Sequence, residues 1–221
     1  MDGFIEQFFN LGVMAKAFPL LMRGLGMTLL ICLAVIPLGF VGGLLVALAR
    51  LSRSAMLRIS VRILTDLFRA LPPLVLLILV YSGLPFTGIR LSPFTAVCIA
   101  FFLNSSAYYG EVLRAGIESI GSGQWEAARS TGLSGRDTFL FVVLPQAVRN
   151  VLPDLVSNTI EVVKLTSIAS VVSMTELLYS ADMARSITFN ASPVVLAGLI
   201  YLVLLWPAVR LASRLEHRVG T

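Results

Sequence analysis

The stretch QWEAARSTGLSGRDTFLFVVLP, residues 124–145, decides how this chain is read. It is a long polar interval in a very apolar protein, and it follows the third of five hydrophobic segments. Ser122 can cap a short helix over about residues 123–131, because its hydroxyl can accept from the unpaired N–H groups of a first turn. Glu126 lies near the N-terminal end of that helix, where the helix dipole favours an anion. Ala127 and Ala128 are small, so a partner can approach the backbone closely. Gly132 is placed to stop the helix in a left-handed conformation. Ser134, with Asp137 three residues on, marks a second start similar to a capping box. Two short helices at an angle make a knuckle, and a knuckle fits a groove in a partner. The plain alternative is an ordinary amphipathic loop between two membrane helices.

Composition bounds the rest. The chain has 221 residues, 57% hydrophobic and 13% charged, with a mean hydropathy of +0.90. Such a balance lies outside soluble globular domains and predicts an all-α integral membrane protein, with one transmembrane domain over residues 1–221. Cys32 and Cys98 sit in apolar runs far from any histidine pair, which predicts neither a disulfide framework nor a metal site. The single histidine, His217, lies in the polar tail, so no His-based metal or catalytic cluster is available. The net charge of +5 admits a nucleic-acid partner in principle. The Lys and Arg positions instead read as topology signals, so no nucleic acid is expected.

Residues 1–22 are mildly amphipathic and open with the acidic Asp2 and Glu6, which predicts an interfacial helix and not a cleaved signal. The first span runs from about Gly24 to Ala49, where Pro37, Gly39, Gly42 and Gly43 predict a bend and a close helix contact. The second covers about Val61–Leu84, with a kink at Pro72–Pro73. The third, about Pro93–Gly110, continues as a helix to Ile120. The fourth is about Leu144–Met174, and the fifth about Ser192–Val209. A segment with Glu176, Asp182 and Arg185 connects the last two on the outside. This scheme puts Arg50, Arg53, Arg58, Arg62, Arg114, Arg129, Arg136, Arg149, Arg210, Arg214 and Arg218 inside. Only Lys16, Arg23, Arg90 and Arg185 fall outside. The positive-inside rule then sets five crossings, N-terminus out and C-terminus in, with the knuckle in the cytoplasm.

An ionisable group inside a span costs roughly 2.5–3.5 kcal/mol, so it should face protein or a wet cavity. In the fourth span Asp154, Asn158, Glu161 and Leu165 recur at helical spacing, with Ser157 and Lys164 beside them. In the third span Asn104, Tyr108, Glu111 and Arg114 do the same. Two such stripes can enclose a pocket for a zwitterion, Lys164 facing a carboxylate and Glu161 an ammonium. The alternative for Glu161 and Lys164 is that they pair with each other, three residues apart. Glu111 and Arg114 carry the same alternative.

The quoted stretch resembles the coupling loop of ATP-binding cassette (ABC) transporter permeases. That pattern is E-A-A, three residues, G, nine residues, I, one residue, L-P. Glu126, Ala127, Ala128, Gly132, Leu144 and Pro145 meet it, with Val142 in place of Ile. FRALPPLVLLILVYSGLP, NSSAYYGEVLRAGIESI, KLTSIASVVSMTEL and the closing LIYLVLLWPAVRLASRLEHR resemble permeases of the polar amino-acid uptake family, of the histidine/glutamine/arginine type. Two departures stand out: Ala70-Leu71 where that family has G-T, and Leu165 where it has Asp.

The resemblance implies a five-helix, MetI-like type I importer permease in a bacterial inner membrane, with the coupling loop at about 122–145. It implies a pair of ATP-binding subunits, a second permease subunit, identical or homologous, and an extracytoplasmic solute-binding protein. No phosphate-binding loop occurs in this chain, so ATP and magnesium are expected in the partner ATPase and no cofactor here. The alternatives are a secondary carrier or channel, a membrane scaffold, and an ABC permease for an amino-acid conjugate such as an opine. A membrane enzyme is disfavoured, since no Ser/His/Asp or metal-ligand constellation occurs.

Overall fold

The computed structural model describes residues 2–219, with side chains for residues 3–216. The side chains of Asp2, His217 and Arg218 therefore lie outside the described residues. The described secondary structure is helical throughout, as a chain in lipid requires when its backbone groups must be satisfied within each segment. Four helices are long and apolar enough to cross a membrane, and five spans result if one broken pair counts as a span.

The N-terminal boundary differs from the sequence reading. Helix α1 covers only Asp2–Phe8, and α2 runs unbroken over Leu11–Arg50. Asn10 makes the break, its side-chain oxygen accepting from the N–H of Val13 at 3.1 Å. Residues 11–22 thus belong to the first long helix and not to a separate interfacial one. At 1.5 Å per residue α2 is about 60 Å long, twice the hydrocarbon thickness of a bilayer, so part of it must project beyond the lipid.

The second span is also revised. Helix α3, Ala55–Ala70, stops at Leu71, and α4, Pro73–Ile78, begins after Pro72. The two prolines remove consecutive backbone donors and produce a full break where a kink was expected. From α4 the chain continues as a π turn, Leu79–Gly83, and a 3-10 turn, Leu84–Thr87.

Helix α5, Pro93–Glu118, matches the third span. Helices α6, Ser122–Ser130, and α7, Gly135–Asp137, follow. A π turn over Thr138–Val143 joins α7 to α8, Leu144–Leu165, which passes into a 3-10 segment, Thr166–Val172. Helix α9, Leu177–Thr188, is short, and α10 spans Ser192–Val219, longer than the fifth span was drawn.

The packing falls into two units, to both of which the long helices contribute. One contains the chain up to Pro37, with Pro72–Phe101 and Ile160–Ala208. Its core sets Ala17 and Leu21 of α2 against Leu177, Ala181 and Ala184 of α9 and Ala197 of α10. The other contains Leu38–Leu71, Phe102–Thr159 and the residues from Val209 on. There Ala47 of α2, Tyr109 and Leu113 of α5, and Val151 and Leu155 of α8 form one cluster. Within this second unit Gly39, Gly42 and Gly43 lie against Ser105, Ser106 and Tyr109, the close contact expected from the small residues.

Candidate functional site

The knuckle is built from α6 and α7. Helix α6 starts one residue earlier than expected: Gly121 is the cap, in extended backbone, and Ser122 is the first helical residue and makes no side-chain cap. Gly132 is left-handed at φ 86°, as its position predicted. Ser134 caps α7, its hydroxyl oxygen accepting from the N–H of Asp137 at 3.1 Å and its O–H donating to Asp137 Oδ2 at 2.6 Å. Helix α7 is no free-standing second helix, because the π turn carries it directly into α8.

Glu126, Ala127 and Gly132 are exposed, while Ala128 is only 7% exposed. Of the two alanines expected to admit a partner, Ala127 faces outward and Ala128 is turned into the chain's own packing. The inward face also carries Trp125, whose ring stacks on Phe139 at 6.4 Å over a cluster of Ile117, Ile120, Val143 and Ala147. Leu144 is half-buried and Pro145 exposed.

The predicted polar stripes divide between the two units. Asn104, Tyr108, Glu111 and Asn158 belong to the second unit, and Glu161 and Lys164 to the first. Asn104 is buried, and its Nδ2 donates to the carbonyl of Phe68 at 3.3 Å. Tyr108 donates its hydroxyl to the carbonyl of Arg69 at 3.4 Å, and the Arg69 guanidinium lies 5.4 Å from the Tyr108 ring centre. Glu111 is held by Arg114 on its own helix and by Arg50 of α2 at 3.6 Å, and Arg114 also binds Glu118. Those contacts occupy the Glu111 carboxylate and make it an internal tie between α2 and α5. Asn158 Nδ2 is buried and has no hydrogen-bond partner among the described residues. Glu161 and Lys164 pair with each other on α8, both more than half exposed.

Sequence reasoning missed Glu176. As sequence it reads only as part of the segment connecting the last two spans, and its side chain is fully buried in the first unit. Its carboxylate accepts from the N–H groups of Leu178 and Tyr179, at 2.8 and 2.7 Å, and so caps α9. The Tyr201 hydroxyl donates to it at 3.3 Å, and Thr28 Oγ1 accepts from the N–H of Leu177 at 3.2 Å. Burial pushes the Glu176 carboxyl above its ordinary value, and the two backbone N–H groups and the Tyr201 hydroxyl oppose that rise. The legible signal was a carboxylate at the head of a helix; nothing local shows that Tyr201 closes over it. An open groove of about 660 Å³ in the same unit runs past Phe8, Val171, Tyr179 and Arg185, and none of the predicted site residues lines it.

Several helices long and apolar enough to cross a membrane, with a polar knuckle set between two of them, make the chain a multi-span membrane protein. The chain belongs to the family described as "Binding-protein-dependent transport system inner membrane component", matched over residues 39–221, and is thus an ABC permease of a multi-pass inner-membrane type. It is 39% identical over 197 residues to the "Probable amino-acid ABC transporter permease protein YckA" of Bacillus subtilis (strain 168), covering 89% of this chain and 87% of that one. It is 35% identical over 211 residues to the "Probable glutamine ABC transporter permease protein GlnM" of the same organism, covering 95% and 98%. Among solved structures, that described as "Crystal structure of an amino acid ABC transporter with histidines" superposes with a TM-score of 0.86 at 35% identity, over 93% of this chain and 96% of that one. A methionine ABC transporter, MetNI, in an inward-facing conformation, shares the fold at a TM-score of 0.74 and 21% identity, over 90% and 96%.

Proposed function

We propose that this chain is the membrane subunit of an ATP-driven importer for a polar amino acid. It works with a second permease subunit, a pair of cytoplasmic ATPase subunits that hold ATP and magnesium, and an extracytoplasmic solute-binding protein. The N-terminus lies outside and the knuckle inside. The amino-acid assignment is supported by relatives named for glutamine and amino-acid transport and by a solved neighbour described with histidines.

The observation that carries the reading is the two-sided knuckle. Its outer face offers Glu126, Ala127 and Gly132, while its inner face packs Trp125 on Phe139 of the π turn, over a cluster that includes Ala147 of α8. A push on the outer face is therefore delivered to a spanning helix. ATP-driven closure of the ATPase pair moves the knuckle, and the spans turn the path from one side of the membrane to the other. Residues on the knuckle transmit force and do no chemistry. In the second unit, Asn158 on α8 and Asn104 and Tyr108 on α5 line the path taken by the solute; in the first, the Glu161–Lys164 pair is the candidate contact for a zwitterion. The deciding experiment reconstitutes the complex in vesicles and measures uptake of radiolabelled glutamine, arginine and histidine with and without ATP. Uptake that proceeds equally without ATP overturns the reading in favour of a secondary carrier or channel. A complex that ignores amino acids and takes up an opine moves the substrate class.

A further inference from the structure

The start of α8 contains a feature that the coupling pattern does not explain by itself. Pro145 has no N–H, and its ring crowds the carbonyl four residues back, that of Phe141. The helix answers by widening into the π turn over Thr138–Val143, where the N–H of Leu144 reaches the carbonyl of Phe139, five residues back. The next residue is Gln146. Its side-chain Nε2 donates to the carbonyl of Val142 at 2.7 Å, inside the turn, and to Gln124 Oε1 on α6 at 3.3 Å. One amide thus holds both the widened turn and the coupling helix. One helical turn further along, Asn150 Nδ2 donates to Ser119 Oγ, just past the end of α5, at 3.0 Å. Gln146 and Asn150 form the polar edge of the seam whose apolar part is Trp125 on Phe139.

A second observation marks this turn as a movable part. Thr138, at its head, is fully buried, and its hydroxyl has no hydrogen-bond partner among the described residues. A buried hydroxyl left unpaired is unfavourable. Converting a π turn to α geometry shifts the register by one residue and re-aims every side chain above it. We propose that Gln146 is the positioning residue that links the place of α6 to the state of this turn, so that displacement of the coupling helix is passed into α8 as a change of helix register. This rests on the coupling role proposed above. When α6 moves, Gln124 withdraws from Gln146. The Gln146 amide is then free to follow the Val142 carbonyl as the turn tightens. When α6 returns, the same amide restores the wide turn.

The test uses the complete complex in proteoliposomes, with amino acid transported per ATP hydrolysed as the readout. Gln124→Leu removes only the α6 partner. Gln146→Leu removes both bonds, and Gln124→Glu keeps an acceptor facing Gln146. Gln124→Leu should lower the ratio about fivefold, the scale of one lost hydrogen bond, and Gln146→Leu, which loses two, at least as much. The double variant should do no worse than Gln146→Leu alone, because both act through one contact. Gln124→Glu should retain most of the ratio because it still accepts from Gln146; the ratio itself is the discriminating readout, since a merely structural role would lower uptake and ATP hydrolysis together. Unchanged ratios in both leucine variants overturn the proposal, as does a double variant whose losses multiply. Should Gln146→Leu fail to assemble, Gln124→Leu and Gln124→Glu still decide the matter. A wild-type complex that transports without ATP sinks the functional reading instead, so the two failures are distinct.

Discussion

Gly43 of α2 and Gly110 of α5 meet with no space for a methyl group between them. A Cβ on Gly43 would lie 2.8 Å from the Gly110 nitrogen and 2.4 Å from Tyr109 Cβ. A Cβ on Gly110 would lie 2.5 Å from Val46 Cγ1 and 3.1 Å from the Gly43 carbonyl oxygen. Backbone stands against backbone, so neither neighbour can swing aside. Gly43→Ala should therefore destabilise the protein by about 1–3 kcal/mol, the cost of overpacking a close contact. Gly26, with nothing within 4 Å of a Cβ, should accept alanine with little loss. Thermal unfolding of the two variants in detergent compares them.

Gly132 presents the opposite case. Nothing lies within 4 Å of a Cβ there, but its φ is +86°. Only backbone conformation forbids a side chain, at about 1–2 kcal/mol for an ordinary residue. Gly132→Val should displace the junction of α6 and α7 and lower transport per ATP, while Gly132→Asn should be mild because asparagine tolerates this conformation. Glu126→Ala should lower the same ratio with insertion unchanged. A ratio unchanged from wild type in both Gly132→Val and Glu126→Ala would count against the knuckle as the site of force transfer.

Glu176 makes stability depend on pH in the sense unusual for a carboxylate. Its folded-state value is raised, so the native state holds the proton more tightly than the unfolded chain does. The stabilising contribution is complete below the ordinary carboxyl value, about pH 4, and is lost as pH rises through the folded value. Glu176→Gln should flatten that slope in pH-dependent melting curves. Glu176→Ala removes the cap of α9 and should cost about 1–2 kcal/mol at low pH, with a smaller cost as pH rises through the folded value.

The Glu161–Lys164 pair separates solute contact from internal pairing. Both side chains are more than half exposed, so the pair itself is worth only about 0.2–0.5 kcal/mol. The exchange Glu161→Lys with Lys164→Glu preserves a pair and reverses its direction. If the two groups face a zwitterion, the exchange should abolish uptake while the melting temperature stays within a few degrees. Normal uptake would show that they serve each other alone.

Asn158 offers an independent reading of the same helix. Its Nδ2 is buried without a partner among the described residues, so Asn158→Leu should leave stability equal or improved. Uptake should nonetheless fall, measured with radiolabelled glutamine, arginine and histidine. A variant that transports normally removes Asn158 from the path.

Much of this fold was legible because it is set by neighbours along the chain. Hydropathy marks the spans, Pro72 and Pro73 mark the interruption of the second, and Ser134 and Gly132 mark the ends of the knuckle helices. Each is a property of a few consecutive residues: transfer cost, a missing N–H, a side chain that caps, a backbone free to turn left. The same local logic erred by one residue at Ser122, where extended backbone at Gly121 started the helix first. It also erred at residues 11–22, where isolated charges suggested a boundary that Asn10 had already made.

What the chain cannot state locally is the rotation of each helix about its own axis. Ala127 and Ala128 are equal as sequence, yet packing turns one outward and buries the other. As sequence, Glu111 could face a solute or pair with Arg114; the structure pairs it with Arg114 and adds Arg50, 61 positions earlier in the chain, at 3.6 Å. Glu176 had no partner assigned as sequence, and Tyr201, 25 positions later in the chain, donates to it at 3.3 Å. The sequence alone determined that the chain is a membrane-embedded helical permease with a knuckle of defined spacing, since lipid and capping act on short stretches. Tertiary structure decided which side chains are spent on the protein itself and which remain for a partner or solute, because that depends on contacts between residues remote in the chain.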